Sequence, residues 1–262
     1  MKNYSVLTYI MGDYEQVREV LEKDENAEYI LVTDNPNIKS DSWNVVLDEE
    51  LKGCPFDKCL QVRYNPFKYC TTDICIRLDH SIQIKKSLEP FIEYFNKGNY
   101  DICLMPHPYR DLFHEEYFAW VKLRGYSYDH AIECMKKFNS LGYNFSYKGL
   151  FQMGVSIVRN TEREREFDKQ VYNLAKEFGE NGEIERIDQI QFSYLMNTNN
   201  SDWNVMCISE EIIKSDYMQI YTHGTDTPNM LINYDINKDD MRYVFNKLTK
   251  CLYSKDIKWI TD

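Results

Sequence analysis

Short runs of β-branched and aromatic residues, each followed at once by a turn, dominate the first third of the chain. Tyr4–Ile10, Tyr29–Thr33, Ser42–Leu47 and Ile74–Leu78 predict buried strands, and apolar residues at helical spacing in Tyr14–Lys23 predict a helix. This β-α-β-β opening requires a mainly parallel sheet with helices packed on it. The ligand site of such a sheet is expected at the carboxyl ends of its strands.

The rest of the chain continues the alternation of strands and helices. Strands are predicted at Asp101–Met105 and Gly149–Val158, and helices at Ser87–Lys97, Leu112–Phe118, Ser127–Leu141, Glu162–Phe178, Ile187–Leu195 and about Asp239–Tyr253. No repeat or long linker interrupts the pattern. We therefore expect one α/β domain over residues 1–230, with a C-terminal helical extension, residues 231–262, packed on it.

Charge and motifs exclude several classes of function. The 262 residues include 31 Lys and Arg against 42 Asp and Glu, a net charge of −11, with no dense basic run. A nucleic-acid partner is therefore not expected, although a small phosphorylated ligand could be held by local cations and a metal. Phosphate-binding loops of the Walker type, Gly-x-Ser-x-Gly elbows, His-Glu-x-x-His and Cys-x-x-Cys are absent from the sequence, which disfavours common NTPase, hydrolase, zincin and redox functions.

The sequence also bears on where the protein acts. It shows neither a signal-peptide pattern nor an apolar stretch of the roughly 18 residues that span a bilayer, which predicts a cytoplasmic protein with peripheral membrane contact as an option. The eight cysteines are then expected as reduced thiols. Zinc binding by Cys54/Cys59 and Cys70/Cys75 is disfavoured, because zinc knuckles use tighter pairs.

Asp79 is the first candidate for chemistry. It directly follows an apolar strand, where a carboxylate can hold a divalent cation against a diphosphate. The alternative is an aspartate that only caps a turn.

Six ordered segments strengthen the functional interpretation. They are Tyr4–Gly12, Tyr29–Asp34 (YILVTD), Asp73–Ile82 (DICIRLDHSI), His107–Glu116 (HPYRDLFHEE), Phe151–Asn160 (FQMGVSIVRN) and Arg186–Gln189 (RIDQ). In order and spacing they resemble nucleotide-sugar-dependent glycosyltransferases of the GT-A type, in particular bacterial and plant glycosyltransferase-like proteins linked to capsule and mucilage polysaccharides. The resemblance covers roughly residues 4–196, and it implies a GT-A-like, Rossmann-like sheet.

The resemblance also implies roles for individual residues. Nucleotide binding would fall to Thr8, Tyr9, Ile10, Gly12, Asp34, Arg63 and Lys68; sugar binding to His107, Arg110 and Glu115; catalysis to Gln152, Asp188 and Gln189; and binding of Mn²⁺ or Mg²⁺ to Asp79 and His223. The implied reaction moves a sugar from a nucleotide diphosphate donor, with a UDP-sugar favoured, to a glycan or lipid-linked acceptor in surface polysaccharide synthesis. The arrangement of Gln152 with Asp188-Gln189 favours retention of configuration.

Two departures from the family pattern keep other functions open. Arg77 stands where the family has the first acid of its Asp-x-Asp triplet, and His80 stands where it usually has a small residue. A metal would then have fewer protein ligands, or none. The alternatives are a catalytically silent nucleotide-sugar-binding protein and a metal-dependent phosphohydrolase built on Asp79, His107 and His223.

Overall fold

The computed structural model describes residues 2–107, 109–143, 149–198, 202–208 and 217–226. These residues separate into two compact units: a sheet unit, with residues up to 107 and from Phe151 onward, and a helical unit, Tyr109–Leu150. The helix expected at Asp239–Tyr253 and the extension at 231–262 lie outside the described residues. The domain boundary at residue 230 therefore stays a prediction.

The sheet unit contains a seven-stranded mixed sheet among its described residues. Its strands are β1 (Tyr4–Ile10), β2 (Ala27–Thr33), β3 (Asn44–Leu47), β4 (Ile74–Leu78), β6 (Ile102–Pro106), β7 (Phe151–Arg159) and β8 (Val205–Cys207), while β5 (Ile82–Ile84) and β9 (Met218–Ile220) form a separate antiparallel pair. The order in the large sheet is β3-β2-β1-β4-β7-β6-β8. All neighbours are parallel except β7, which runs antiparallel to both β4 and β6. The prediction of an α/β fold with a mixed, mostly parallel sheet is confirmed, with β1, β2 and β4 as its centre.

Helices cover both faces of this sheet. The helices of the unit are α1 (Pro55–Arg63), α2 (Glu89–Lys97), α5 (Glu162–Phe178) and α6 (Asp188–Thr198), with a 3-10 turn at Pro66–Lys68. Apolar residues of α1, α5 and α6 share one core layer, and α2 packs with the β5/β9 pair in the other. Every residue of β1 is buried, as expected for a strand covered on both faces. No helix within the described ranges combines the length and apolar character that crossing a bilayer requires.

The helical unit contains α3 (Phe113–Arg124) and α4 (Tyr128–Ser140). The rings of Phe113 and Tyr143 stack with their centroids 4.5 Å apart. In the first turn of α3, the Glu115 carboxylate accepts hydrogen bonds from the backbone amides of Asp111 at 3.0 Å and Leu112 at 3.1 Å. This is the reciprocal half of a capping box, which stabilises a helix start.

The helix predicted over Tyr14–Lys23 does not form. Its backbone groups bond instead to distant segments: the Val20 amide donates to Ser42 Oγ at 2.8 Å, and the Arg18 carbonyl accepts from Trp43 Nε1 at 2.8 Å. The Leu21 amide likewise donates to the Ile84 carbonyl at 3.0 Å. Tertiary partners thus replace the i to i−4 bonds that a helix would need, and the apolar periodicity was a misleading signal.

Arg77 lies at the centre of the sheet unit, with 2% of its surface exposed. Its guanidinium donates to both carboxylate oxygens of Asp168, at 2.8 and 2.9 Å, and to Ser156 Oγ at 2.8 Å, while Glu164 Oε1 lies 3.6 Å away. Burial, reinforced by the neighbouring Asp168 charge, raises the pKa of Glu164 well above its usual 4.5 despite the opposing effect of Arg77. Burial raises the pKa of Asp168 as well, but there the opposing effect of Arg77 is reinforced by its hydrogen bonds, so Glu164 is the acid of the two that more readily keeps a proton.

We expect the loss of stability to differ between the two acids beside Arg77 when each is replaced by its amide. Asp168→Asn removes the carboxylate that Arg77 contacts directly and leaves only Glu164, 3.6 Å away, to balance the guanidinium, so it should lower the free energy of unfolding by up to about 3–5 kcal/mol. Glu164→Gln replaces a neutral carboxyl by a neutral amide and should cost under ~1.5 kcal/mol at pH 7. Because the native pKa of Glu164 is raised, its contribution is present below about pH 4.5 and is lost as the pH rises, so the variant should gain relative to wild type between pH 4 and pH 8.

Urea unfolding at several pH values measures both effects. Equal costs for the two variants, with no pH dependence of their difference, would contradict this assignment of the proton.

Candidate functional site

The candidate site lies where β1, β2 and β4 end. Because these strands are parallel neighbours, their carboxyl ends meet at one edge of the sheet, and Gly12, Asp34 and Asp79 follow them there. Three residues that the sequence analysis selected thus share one edge, as the parallel topology predicts.

Arg63, the last residue of α1, joins two acidic residues of this site. Its Nη2 pairs with Asp79 Oδ1, and its Nη1 lies 2.7 Å from Asp188 Oδ2. The Tyr64 hydroxyl donates to the same Asp188 oxygen at 2.6 Å. Asp188 is the first residue of α6, where a carboxylate also suits the positive end of the helix dipole. The arginine therefore fixes β4, α1 and α6 relative to one another.

The charge state of Asp79 follows from these neighbours. Burial alone would raise its pKa, but Arg63, followed by His80 and His223, holds the pKa below the usual 3.8. Tyr9 donates to Asp79 Oδ1 at 3.0 Å, and burial raises the pKa of its phenol well above 10. Asp79 is thus a carboxylate and Tyr9 a neutral donor at physiological pH.

Two histidines and a glutamate form a second group at the same edge, here called the His-Glu cluster: Glu15, His80 and His223. Glu15 Oε1 lies 2.9 Å from His223 Nδ1 and 3.3 Å from His80 Nε2, and the two imidazole centroids are 5.1 Å apart. Burial opposes the charge of Glu15, yet hydrogen bonds from His223 and His80 lower its pKa to about 2. Tyr14, 59% exposed, stacks beside His223.

The His-Glu cluster has the geometry of a cation site. One ligand atom from each of its three residues lies within 4.8 Å of the others. Glu15 Oε2 and His80 Nδ1 are buried without hydrogen-bond partners among the described residues, while His80 Nε2 lies 3.3 Å from Glu15 Oε1. Buried polar atoms without partners are costly, and a bound cation would satisfy them. Carboxylate and imidazole are ligands that Mn²⁺ and Zn²⁺ both accept.

The end of β2 carries a smaller polar arrangement. Asp34 Oδ1 accepts from the Gly12 amide at 2.7 Å, and Asp34 Oδ2 pairs with Lys58 Nζ at 2.6 Å. Gly12 has φ +65°, which favours glycine, and no atom lies within 4 Å of where its Cβ would be. The backbone is therefore open to close approach by a ligand. Despite partial burial, Lys58 and the Gly12 amide lower the pKa of Asp34.

Gln152 lies on β7 beside Asp79. A Cβ at Gly154 would lie 3.8 Å from Gln152 Nε2 and 3.9 Å from Asp79 Oδ2, so the bare glycine leaves a gap between these side chains. Gln152 Oε1 is buried without a partner among the described residues. Gln189, half-buried, is the second residue of α6. Its position next to Asp188 keeps it at this edge of the sheet.

Other predicted site residues have different surroundings. Lys68 lies in the 3-10 turn and pairs with Asp48 Oδ2 at 2.6 Å, which separates it from the contacts around Asp79. Thr8 and Ile10 are buried within β1, and Ile10 belongs to the apolar core. His107 follows β6 and is half-buried.

Arg110 and Glu115 belong to the helical unit. Arg110 pairs there with the buried Glu116, which also accepts from Trp120 Nε1 at 2.8 Å. The Glu115 carboxylate is occupied by the backbone hydrogen bonds at the start of α3. Their assignment to sugar recognition, together with His107, stays a prediction.

No protein-family model matches this chain, and no curated protein shows detectable similarity to it. The resemblance to glycosyltransferases therefore stays a prediction from the sequence motifs.

Three residues at this edge were not predicted from the sequence: Glu15, Lys58 and Tyr64. Glu15 was assigned to a helix that does not form, and Lys58 and Tyr64 lie in and just after α1, which was not predicted. His80 was noticed, but as a departure from a pattern rather than as a ligand. Its position directly after Asp79 was the available signal, since a strand end places consecutive residues at the same edge.

We expect the His-Glu cluster to bind a divalent cation. Titration of the protein with MnCl₂ and ZnCl₂, followed by calorimetry, should show one site that His80→Gln weakens at least about tenfold, because an amide is a poor replacement for imidazole. His107→Gln is the matched control, since it makes the same substitution outside the cluster. Wild-type affinity in His80→Gln, or an equal loss in both variants, would contradict the assignment.

Proposed function

We propose that this protein is a nucleotide-sugar-dependent glycosyltransferase of the GT-A type that works with a divalent cation. The observation that carries the proposal is the convergence of Asp79, the His-Glu cluster and the Gly12–Asp34–Lys58 arrangement at one edge of a mostly parallel sheet. Carboxylate and imidazole ligands beside an open glycine backbone suit a metal-bound diphosphate with an attached nucleoside.

The residues present fit the implied metal, although the ligand set differs from the one first predicted. His223 is retained, and Glu15 and His80 join it. Asp79 is engaged by Arg63 and Tyr9, and lies next to the cluster closely enough for both histidines to lower its pKa. When bound, the cation would stabilise negative charge on a departing diphosphate. The nitrogen-rich ligand set compensates for the absence of an acid at position 77.

The protein's own groups supply the rest of the binding site. The open backbone at Gly12 and the Asp34 carboxylate suit the nucleoside. Lys58 and the Gly12 amide hold that carboxylate in place. Arg63 adds a permanent positive charge beside Asp79, which favours a negatively charged leaving group. Tyr14 offers an exposed aromatic surface next to the cluster for a planar base or a sugar ring.

Within this proposal Asp188 and Gln152 have different tasks. Asp188 is occupied by Arg63 and Tyr64, which makes it a positioning residue for the guanidinium. Gln152 has a buried oxygen without a partner beside Asp79 and is placed to contact the transferred sugar, with Gln189 at the start of α6 nearby. The acceptor is a glycan or lipid-linked glycan, and the retaining outcome remains part of the proposal, as does a cytoplasmic or membrane-peripheral location.

A metal-dependent phosphohydrolase is the second candidate. Two imidazoles and one carboxylate form the ligand set of many zinc hydrolases, and the His-Glu cluster has this composition. The residues differ from the trio of Asp79, His107 and His223 first considered. Water would then replace the sugar acceptor, so the two candidates differ in the product that they form.

A screen of nucleotide diphosphate sugars with Mn²⁺ or Mg²⁺ tests the proposal. Thermal shift detects donor binding, because a ligand of the native state raises the melting temperature. Release of nucleoside diphosphate that depends on an added oligosaccharide supports transfer. Release that is independent of acceptor supports hydrolysis, and binding without release supports a catalytically silent protein.

We expect Asp79→Asn to reduce donor turnover at least about a hundredfold, because the amide cannot balance Arg63 or contribute negative charge beside the cation. The chain should still fold, since Arg63 keeps its pair with Asp188. Asp41→Asn, an exposed carboxylate, is the matched control and should keep wild-type turnover. Full activity of a folded Asp79→Asn protein would mean that the catalytic site lies elsewhere.

A further inference from the structure

A second cavity lies in the sheet unit among α1, the 3-10 turn and α5. Its volume is about 350 Å³, and it is lined by Leu51, two amide side chains and six other residues: Tyr64, Tyr69, Tyr172, Lys68, Arg165 and Lys169. Ligand pockets in proteins have volumes of this order. The candidate active site described above does not account for this cavity.

The charge of the cavity lining is the first argument for a ligand. Three cations and no carboxylate line it, in a chain where acids outnumber bases by 42 to 31. Arg165 donates to the uncharged Asn160 side chain and has no ion pair among the described residues, while the nearest acid to Lys169 is Glu166 at 3.8 Å. Lys68 is neutralised by Asp48 at 2.6 Å, so Arg165 and Lys169 are the lining cations without an ion pair closer than 3.8 Å among the described residues.

The placement of these cations is the second argument. Arg165 and Lys169 are four residues apart on α5 and therefore face the same side, an arrangement that destabilises a helix by repulsion. Arg165 also lies near the amino end of the helix, where the dipole disfavours a positive charge. An anion between the two side chains would relieve this repulsion and stabilise both.

The tyrosines define the shape of the ligand. Their hydroxyls donate to carboxylates outside the lining: Tyr64 to Asp188 at 2.6 Å, Tyr69 to Asp48 at 2.6 Å and Tyr172 to Asp57 at 2.7 Å. The hydroxyl groups are thus occupied, and the rings are left to form the walls. The Gln61 amide is already bonded to the Lys52 backbone and to Asp57, so aromatic walls with the Asn65 amide between them are what suits a ring that carries hydroxyl groups.

We propose that this cavity binds a small sugar-like ring bearing an anionic group, either a phosphate or a carboxylate. Arg165 and Lys169 bind the anion, and the tyrosine rings and the Asn65 amide contact the ring. Tyr64 belongs to both regions, because its ring lines the cavity while its hydroxyl holds Asp188. The proposal does not depend on the transferase function.

Calorimetric titration of the full chain tests the proposal with three probes: glucose 6-phosphate, glucuronate and glucose. At least one anionic sugar should bind, and the stronger of the two identifies the recognised group. Glucose should bind at least about tenfold more weakly than that anion, since it lacks the charge. Binding should weaken with added salt.

Variants locate the binding site. Arg165→Gln and Lys169→Gln change exposed side chains and leave the fold intact. Each should weaken binding of the anionic sugar about tenfold, because one charge-assisted hydrogen bond is lost. Lys97→Gln, an exposed lysine at the end of α2 on the other face of the sheet, is the matched control. Asp79→Asn should also leave this affinity unchanged.

Three results would overturn the proposal. They are the absence of binding by either anion, equal affinity for glucose, and a loss of affinity in Asp79→Asn or Lys97→Gln that matches the loss in the α5 variants.

Discussion

The position of Arg63 between Asp79 and Asp188 is the interaction on which the candidate site depends. Arg63 ends α1, Asp79 follows β4 and Asp188 begins α6, so one guanidinium joins three segments that are distant in sequence. A buried arginine needs such partners, because an unpaired charge in the interior is strongly unfavourable. The same interaction keeps Asp79 ionised and leaves it beside the His-Glu cluster. Folding and site electrostatics are therefore set by the same contact.

Arg77, buried in the sheet unit, also stabilises this arrangement. It occupies the position where an acid of the metal triplet was expected, yet its side chain is used within the fold, held by Asp168 on α5. It also donates to the backbone carbonyl of Arg63 at 3.4 Å. The substitution at position 77 thus removes a candidate metal ligand but adds a structural contact to the residue that organises the site. In the proposed function, the nitrogen and oxygen ligands would come from the His-Glu cluster instead.

Much of the fold could be predicted from local sequence. The strands β1, β2 and β4 are continuous apolar runs bounded by turns, and the covered central strands of a parallel sheet need that pattern. The segment from Tyr14 to Lys23 could not be read this way, because its backbone bonds to Ser42, Trp43 and Ile84, which only the tertiary structure brings near. Local periodicity contains no information about such partners.

Part of the candidate site could likewise be predicted from local sequence, and part depends on contacts that only the folded chain makes. Gly12, Asp34 and Asp79 were predictable because they follow parallel strands that end at one edge. Glu15 and His223 are 208 residues apart in sequence and meet only in the folded chain, so no spacing rule could join them. Lys68 was selected as a cation near a diphosphate, but its charge is paired with Asp48 and it faces the second cavity. Residue type alone selected Lys68, and only the folded chain shows that its charge is already paired.

The central claim is that the carboxyl edge of β1, β2 and β4 binds a metal together with a nucleoside diphosphate. Diffraction from crystals grown with MnCl₂ and uridine diphosphate, collected at the manganese absorption edge, tests it most directly. The account predicts an anomalous peak bonded to Glu15, His80 and His223, with the diphosphate between the metal and Arg63 and the nucleoside near Gly12 and Asp34. A fully occupied nucleotide bound elsewhere, with no anomalous peak at the His-Glu cluster, would contradict it.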